Sequence, residues 1–183
     1  IPDGIWSLRG VDNVTIDGLN TAGNSLAINN SNGGSATTIR FINDATNNTI
    51  IDCNLLGSSG ITVGPGLGTV YFSTGTVTGN DNNTITECNI SASATGTPLN
   101  AIYSLGTSAI IDNSNNTITI NNISDYFNPT AASSGMNINS FNSGWTITNN
   151  TFYQTATRTA TTGSTHNGIF VSSGAGYTIS NNV

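Results

Sequence analysis

The chain has 183 residues with three arginines, no lysine and nine acidic residues, which give a formal charge of −6 and a pI near 4.1. This charge argues against nucleic acid and anionic membranes as partners, because both attract basic surfaces. No apolar run is long enough to span a bilayer, so we expect a single domain over residues 1–183 without membrane insertion.

Asn and Thr occur 29 times each, whereas charged residues make up only 7% of the chain. The hydrophobic residues, 36% of the total, recur at fixed places, which predicts an ordered repeat rather than a disordered linker. One apolar column contains Val14, Ile50, Ile85, Ile118, Ile147 and Ile179, and a second column five places later contains Leu19, Leu55, Ile90, Ile123 and Phe152. The copies are 29 to 36 residues apart, which is typical of coils joined by loops of variable length.

A second set of short strands follows about a dozen residues after the first. It comprises SLAIN 25–29, GITVG 60–64, NAIYS 100–104, GMNIN 135–139 and GIFVS 168–172. TTIRFI, TVYFS and SAIID indicate a third strand in the first three coils. The sequence therefore predicts an all-β fold, a right-handed parallel β-helix (solenoid) of about five coils of 29–36 residues. A propeller or a sandwich, the alternative architectures, would be built from antiparallel hairpins.

Two outward columns flank the inward isoleucines and contain repeated T-x-T motifs. We predict a candidate ligand or ice face from Thr84, Thr86, Thr117, Thr119, Thr146 and Thr148. Their hydroxyls and methyls should recur about 4.8 Å apart along the stack and about 6.7 Å apart along each strand. The alternative is that threonine is simply a good strand former on a solvated face.

Polar columns fall where each strand should turn. Cys53, Cys88, Asn121, Asn150 and Asn182 share one column, and Asn54, Asn89 and Asn122 share the next. Because a side-chain amide can bond to the same amide one coil above, we predict asparagine ladders. In-register residues on neighbouring parallel strands lie slightly too far apart for an unstrained disulfide, so we predict that Cys53 and Cys88 are buried, unbridged thiols. Asp52 and Glu87 also share a column, and we interpret them as a solvated pair rather than a calcium site, which needs six or more oxygens.

Two further features have both a chemical and a structural interpretation. His166, the single histidine, could form a triad with Ser164 and a loop acid, but no nucleophile motif supports this, and a solvated histidine is the simpler interpretation. Trp145 and Tyr177 share a column and could stack on sugars or close the edge of the core. We assign no catalytic, cofactor-binding or metal-binding residue from the sequence.

Four stretches resemble a known group of proteins: FINDATNNTI at 41–50, VYFSTGTVTGNDNNTI at 70–85, NAIYSLGTS at 100–108 and GWTITNNTFYQTATRT at 144–159. They are similar to the Asn/Thr-rich parallel β-helix segments of large secreted or cell-surface proteins of Bacteroidota, often exported by the type IX system. The resemblance implies a module of a longer bacterial surface protein, with flanking coils of the same polypeptide and an adhesive role. It supplies no catalytic motif to transfer.

We therefore expect a noncatalytic extracellular or cell-surface scaffold, or an adhesin-like binding module, that contacts a surface glycan, ice or another extracellular polymer. Two alternatives are an ice-binding protein that uses the threonine columns, and a carbohydrate-active, pectate-lyase-like enzyme whose site lies outside this segment. Both ends of the chain fall within a coil, so residues 1–183 are expected to be a piece of a longer solenoid.

Overall fold

A computed structural model describes residues 4–21, 26–62, 67–161 and 163–183, and within these ranges all regular structure is β-strand. The strands are β1 (Trp6–Arg9), β2 (Thr15–Asp17), β3 (Leu26–Asn29), β4 (Ile39–Ile42), β5 (Thr49–Ile51), β6 (Cys53–Gly57), β7 (Val70–Phe72), β8 (Thr84–Thr86), β9 (Asn89–Ala92), β10 (Asn100–Ser104), β11 (Asn113–Ser114), β12 (Thr117–Thr119), β13 (Asn122–Ser124), β14 (Ser133–Ile138), β15 (Asn142–Ser143), β16 (Thr146–Thr148), β17 (Thr151–Tyr153), β18 (His166–Val171) and β19 (Thr178–Ser180). No helix in these ranges is long and apolar enough to cross a membrane.

Three long parallel sheets and one short one make up the solenoid. The first sheet has the order β1-β4-β7-β10-β14-β18, the second β2-β5-β8-β12-β16-β19, and the third β3-β6-β9-β13-β17. The short pair β11-β15 lies between the first and second sheets in chain order. The chain passes through the three sheets in turn and then rises to the next coil, so the predicted parallel β-solenoid of about five coils is confirmed.

The isoleucine column of the second sheet is confirmed from the second coil onward. Ile50 pairs with Ile85, Ile85 with Ile118, Ile118 with Ile147, and Ile147 with Ile179. The first coil was predicted two residues out of register, because Ile16 and not Val14 pairs with Ile50. Val14 is half-buried two places before Ile16, and its N–H donates to Asn48 Oδ1 at 3.0 Å. The two apolar residues alternate correctly for a strand, so periodicity alone could not choose between them.

The prediction for Leu19 is also wrong. Leu19 is 67% exposed and has φ 48°, whereas Ile28 of β3 lies opposite Leu55 in the third sheet. Residues 18–25 separate β2 from β3, whereas only Asp52 separates β5 from β6. The inward residue of the first coil therefore comes nine places after Leu19, which a fixed five-residue offset cannot show. SLAIN therefore belongs to the third sheet, although its first residue lies outside the described ranges.

The remaining strand assignments are partly corrected. TTIRFI and TVYFS do not form a separate strand layer, because β4 and β7 share the first sheet with β10, β14 and β18. SAIID is not a strand of any sheet but a tight turn closed by a Ser108–Ile111 bridge. GITVG extends into residues 63–66, which lie outside the described ranges. The first sheet therefore contains most of the strands that were predicted from the sequence as two separate sets.

The core is a continuous apolar stack along the axis of the solenoid. Phe41 and Phe72 stack face to face with ring centroids 4.4 Å apart, and Trp145 meets Phe72 edge-on at 4.9 Å. These rings pack with the inward isoleucines of all three sheets in one buried cluster. Each coil thus buries its apolar residues mainly against its neighbours, as expected for a solenoid.

Two columns of residues with a left-handed, positive-φ backbone turn the chain, one on each side of the second sheet. Asn13, Asn47, Asn82, Asn115, Gly144 and Gly176 precede it, and Asp52, Glu87, Ile120, Asn149 and Asn181 follow it, all with φ between 54° and 77°. Asn and Gly are the residues that adopt this conformation most readily, which explains why an Asn pair precedes Thr49, Thr84 and Thr117 and why Gly144 replaces the first Asn before Thr146. Ile120 is the β-branched exception, and it is 54% exposed.

The same substitution at two neighbouring positions tests this register. Ile118→Asn places an amide in the dry stack and should lower the free energy of unfolding by about 3 kcal/mol. Ile120→Asn gives the left-handed column the residue that it already has at Asn149 and Asn181, and should leave stability unchanged or slightly raised. Chemical denaturation of both variants measures the difference. Equal losses at the two positions would contradict the register.

Candidate functional site

The six threonines of the predicted face lie on one outward side of the second sheet. Thr84 pairs with Thr117 and Thr117 with Thr146, and the same holds for Thr86, Thr119 and Thr148. All six residues are half-buried, and the isoleucine between each pair points inward. The Thr119 and Thr148 hydroxyls lie 3.1 Å apart, so these two hydroxyls bond along the stack.

The corrected register extends the first threonine column. With Thr15 and not Asn13 opposite Thr49, the column is Thr15, Thr49, Thr84, Thr117, Thr146 and Thr178, one threonine per strand of the sheet. We call this column the long rank. The second column, the short rank, has threonine only in the middle three strands, because Asp17, Ile51 and Ser180 occupy the others. The face is therefore more regular than the sequence alignment indicated.

The predicted asparagine ladder is confirmed and buried. Asn121 donates from its backbone N–H and from Nδ2 to Asn150 Oδ1, both at 3.0 Å, and Asn150 does the same to Asn182 Oδ1. Asn121 Nδ2 also donates to the Ile85 carbonyl of the preceding coil, with 2.9 Å between nitrogen and oxygen. Each amide therefore joins three coils. Outside this ladder, the amides of Asn54, Asn89 and Asn122 also bond in sequence at 2.7 and 3.0 Å.

Two further buried ladders were not predicted. Asn48, Asn83 and Asn116 bond in the same two-donor manner, at 2.9 to 3.1 Å. Asn80 bonds likewise to Asn113. The NN pairs in the sequence could have indicated the first of these, because one Asn of each pair turns the chain and the other points inward.

Trp145 and Tyr177 continue the Asn48 column in the last two coils. Trp145 is fully buried, and its Nε1 donates to the Asn113 carbonyl at 2.8 Å. The Tyr177 hydroxyl lies 2.9 Å from the Asn142 carbonyl and 2.8 Å from the Ser173 carbonyl. Of the two interpretations left open, the structure therefore shows the one in which these rings close the core.

Cys53 and Cys88 are buried and not bridged, as predicted. Their sulfurs replace the amides of the ladder: Cys88 Sγ lies 3.1 Å from the Thr86 carbonyl and 3.7 Å from that of Ile50. The contact with the Cys53 sulfur and burial both raise the pKa of the Cys88 thiol. The same contact lowers the pKa of the Cys53 thiol. Because both residues are buried and both sulfurs lie against backbone carbonyls, we interpret this pair as part of the scaffold.

Five aspartates for which the sequence predicted no role join adjacent coils. Asp12 accepts from Thr46, Asp44 from Thr76, Asp81 from Ser114, Asp112 from Ser143 and Asp125 from Thr155, each one coil further along the chain. Arg158 also lies 3.7 Å from Asp125. Asp52 and Glu87, by contrast, occupy the left-handed column after the second sheet, where a turn and not a ligand determines their place.

Asp44 has the densest set of donors. Its carboxylate accepts the backbone N–H groups of residues 76–79 at 2.8 to 3.1 Å, together with the Thr76 hydroxyl. Burial alone would raise the pKa of Asp44, but these hydrogen bonds outweigh it and hold the pKa well below its ordinary value. The ionised carboxylate therefore organises the loop between β7 and β8.

His166 does not pair with Ser164 in a triad. Its Nδ1 lies 2.8 Å from the Ser133 hydroxyl, and its ring stacks on Phe127 at 4.0 Å. Ser133 is only 2% exposed and also accepts the Asn128 N–H at 3.2 Å. A hydroxyl so enclosed cannot reach a substrate, so the pair anchors the loop before β14.

Within the described ranges, no group of three or more His, Cys, Asp or Glu side chains is placed to hold a metal ion. The chain matches no protein-family model, no curated protein and no solved structure.

Replacing both thiols by asparagine should extend the buried ladder. In Cys53→Asn/Cys88→Asn, the amide at 88 can bond to the amide at 53 and to the Ile50 carbonyl, in the manner of Asn121. We expect the free energy of unfolding to rise by about 1 kcal/mol for each hydrogen bond gained. Cys53→Leu/Cys88→Leu is the control, because leucine fills the space without donors. A destabilised asparagine variant would contradict the ladder interpretation.

The hydrogen bonds of Asp44 predict that the free energy of unfolding depends on pH in the acidic range. Since its folded pKa lies below the unfolded value, its stabilisation is complete above about pH 5 and is lost as the pH falls through the unfolded and then the folded pKa. Asp44→Asn should lower the free energy of unfolding by about 1–2 kcal/mol at pH 7. Below about pH 4, the free energy of unfolding of this variant should decline less steeply than that of the wild type.

Denaturation curves from pH 7 to pH 2 measure this effect. Asp52→Asn is the control at pH 7, because it removes the same charge from a turn column that accommodates Asn149. Parallel pH profiles of the wild type and Asp44→Asn would overturn the prediction.

Proposed function

We propose that this chain is a noncatalytic scaffold and adhesin-like binding module, whose polar second sheet contacts an extracellular polymer. The observation that carries the proposal is that the carboxylate, thiol and imidazole side chains named above make contacts within the protein itself. Five carboxylates accept hydrogen bonds from the next coil, both thiols lie inside the ladder column, and the histidine anchors a loop. What remains on the second sheet is a repeated display of hydroxyls and methyls.

The location proposed for the module is the bacterial cell surface or the extracellular space. The support is the resemblance of four Asn/Thr-rich stretches to solenoid segments of surface proteins of Bacteroidota exported by the type IX system. The low charge suits an exposed solenoid as well, because its coils associate through hydrogen bonds and apolar contacts that salt screens little. Flanking coils of the same polypeptide would pair with β1 and β18 through their unpaired edges.

A second candidate function, ice binding, is favoured by the long rank. Six threonines follow one another on successive strands, and strand spacing makes their hydroxyls recur at about 4.8 Å. The short rank adds a second row about 6.7 Å away over three coils. A two-dimensional array of this regularity can match a crystalline surface, whether of ice or of a packed polysaccharide.

One pair of substitutions tests both candidates. Thr86→Leu/Thr119→Leu disturbs the middle of the face without entering the core, and Thr157→Leu/Thr159→Leu makes the same change in an exposed loop. The readouts are cosedimentation with microcrystalline cellulose and with chitin, and thermal hysteresis in solution. We expect the wild type and the loop control to be active in one of them, and the first variant to lose most of that activity.

Thermal hysteresis would favour the ice-binding alternative, and retention on a polysaccharide would favour the adhesive module. Activity that survives Thr86→Leu/Thr119→Leu, or a wild type inactive in every readout, would overturn the role of the threonine face. Release of soluble sugar from either solid would overturn the noncatalytic assignment.

A further inference from the structure

A groove lies on the outer side of the first sheet, away from the threonine face. It has a volume of about 420 Å³ and crosses β10, β14 and β18. This size lies within the usual range for pockets that hold small molecules. The described residues that line it are all uncharged, and they combine aromatic rings with amides and hydroxyls.

The groove exists because one column alternates large and small residues. Tyr103 pairs with Asn137, and Asn137 with Phe170, so the short asparagine lies between two rings on successive strands. Strand spacing sets the two rings about 9.6 Å apart, twice the interval between neighbouring strands. A second column of Asn100, Ser134 and Asn167 lies three residues earlier and adds polar groups to the wall.

Hydrogen-bonding capacity is left unused in the lining of the groove. Asn137 Oδ1 is enclosed and has no hydrogen-bond partner among the described residues, an arrangement that is unfavourable until the amide turns toward the groove and meets a ligand donor. The Tyr103 hydroxyl accepts from Asn139 Nδ2 at 3.0 Å and so keeps its own hydrogen for donation. Burial raises the pKa of Tyr103, which keeps this donor protonated at neutral pH. The lining therefore holds one unused acceptor and one available donor on paired residues of neighbouring strands.

The rim supplies an apolar surface of suitable shape. Phe170 is 41% exposed on β18, the end strand of the first sheet, so part of its ring is open to a ligand. A purely apolar ligand would leave Asn137 Oδ1 unpaired, and an ion would find no countercharge in the lining. A sugar ring satisfies both requirements, because it has an apolar face of C–H groups and hydroxyls that donate and accept.

We propose that this groove binds a neutral oligosaccharide, with one sugar ring stacked on Phe170 and its hydroxyls bonded to the Asn137 amide and the Tyr103 hydroxyl. The inference rests on the proposed binding-module function and extends it by naming a ligand class and a second face. It involves neither the long nor the short rank, so the two sites can fail separately.

Calorimetric titration of the whole chain tests the site. The probes are the hexasaccharides of cellulose, laminarin, xylan and mannan, with the hexasaccharide of polygalacturonate as the anionic comparison. We expect at least one neutral probe to bind, and Phe170→Ala to weaken its Kd by about 10-fold or more. Phe141→Ala is the matched control, because Phe141 is 40% exposed but lies outside the groove.

A second variant separates ligand binding from folding. Asn137→Leu has nearly the same shape and removes the unpaired acceptor, so it should raise Tm while weakening the Kd by about 10-fold or more. A merely structural Asn137 would change Tm without changing the Kd.

The proposal is overturned if no neutral probe binds, if the polygalacturonate probe binds tightest, or if Phe141→Ala weakens binding as much as Phe170→Ala. Thr157→Leu/Thr159→Leu, the exposed-loop variant, should keep full hexasaccharide affinity. Loss of affinity in that variant would show that binding does not depend on the groove and would overturn the proposal.

Discussion

Hydrogen bonding along the solenoid axis is the interaction on which the rest of this structure depends. Parallel, in-register strands place each residue above its counterpart in the coil below, so an inward amide meets another amide and both are satisfied. Buried asparagine is costly without a partner, but here the repeat itself supplies the partner. This explains how a chain with 29 asparagines and few charges can fill a solenoid interior.

The same interaction decides what becomes of the reactive side chains. A carboxylate beside a turn lies close to the donors of the next coil, and Asp44 shows how completely those donors can surround it. Thiols of Cys53 and Cys88 replace amides in a ladder because they are small and can still donate weakly to a carbonyl. Because these groups are engaged between coils, the ligand contacts that we propose lie on the outer faces of the sheets.

The outer faces differ because their columns differ. Where a column repeats one residue, as in the long rank, the result is a regular array suited to an extended or crystalline surface. Where a column changes from Tyr103 to Asn137 to Phe170, the result is a cavity suited to a single ring. One scaffold can thus display a repetitive surface on the second sheet and a discrete pocket on the first.

The sequence by itself determined the fold class, the isoleucine column from Ile50 onward and the ladder through Asn121, because these signals repeat in nearly every coil. Tertiary structure alone decided the register of the first coil, where Val14 and Ile16 fit a strand equally well and the loop before Ile28 has no counterpart. It also decided the groove, since Tyr103, Asn137 and Phe170 share no residue type that an alignment could recognise. A periodic pattern shows residue types that repeat in every coil, whereas this groove is formed by different residue types on strands that only folding brings together.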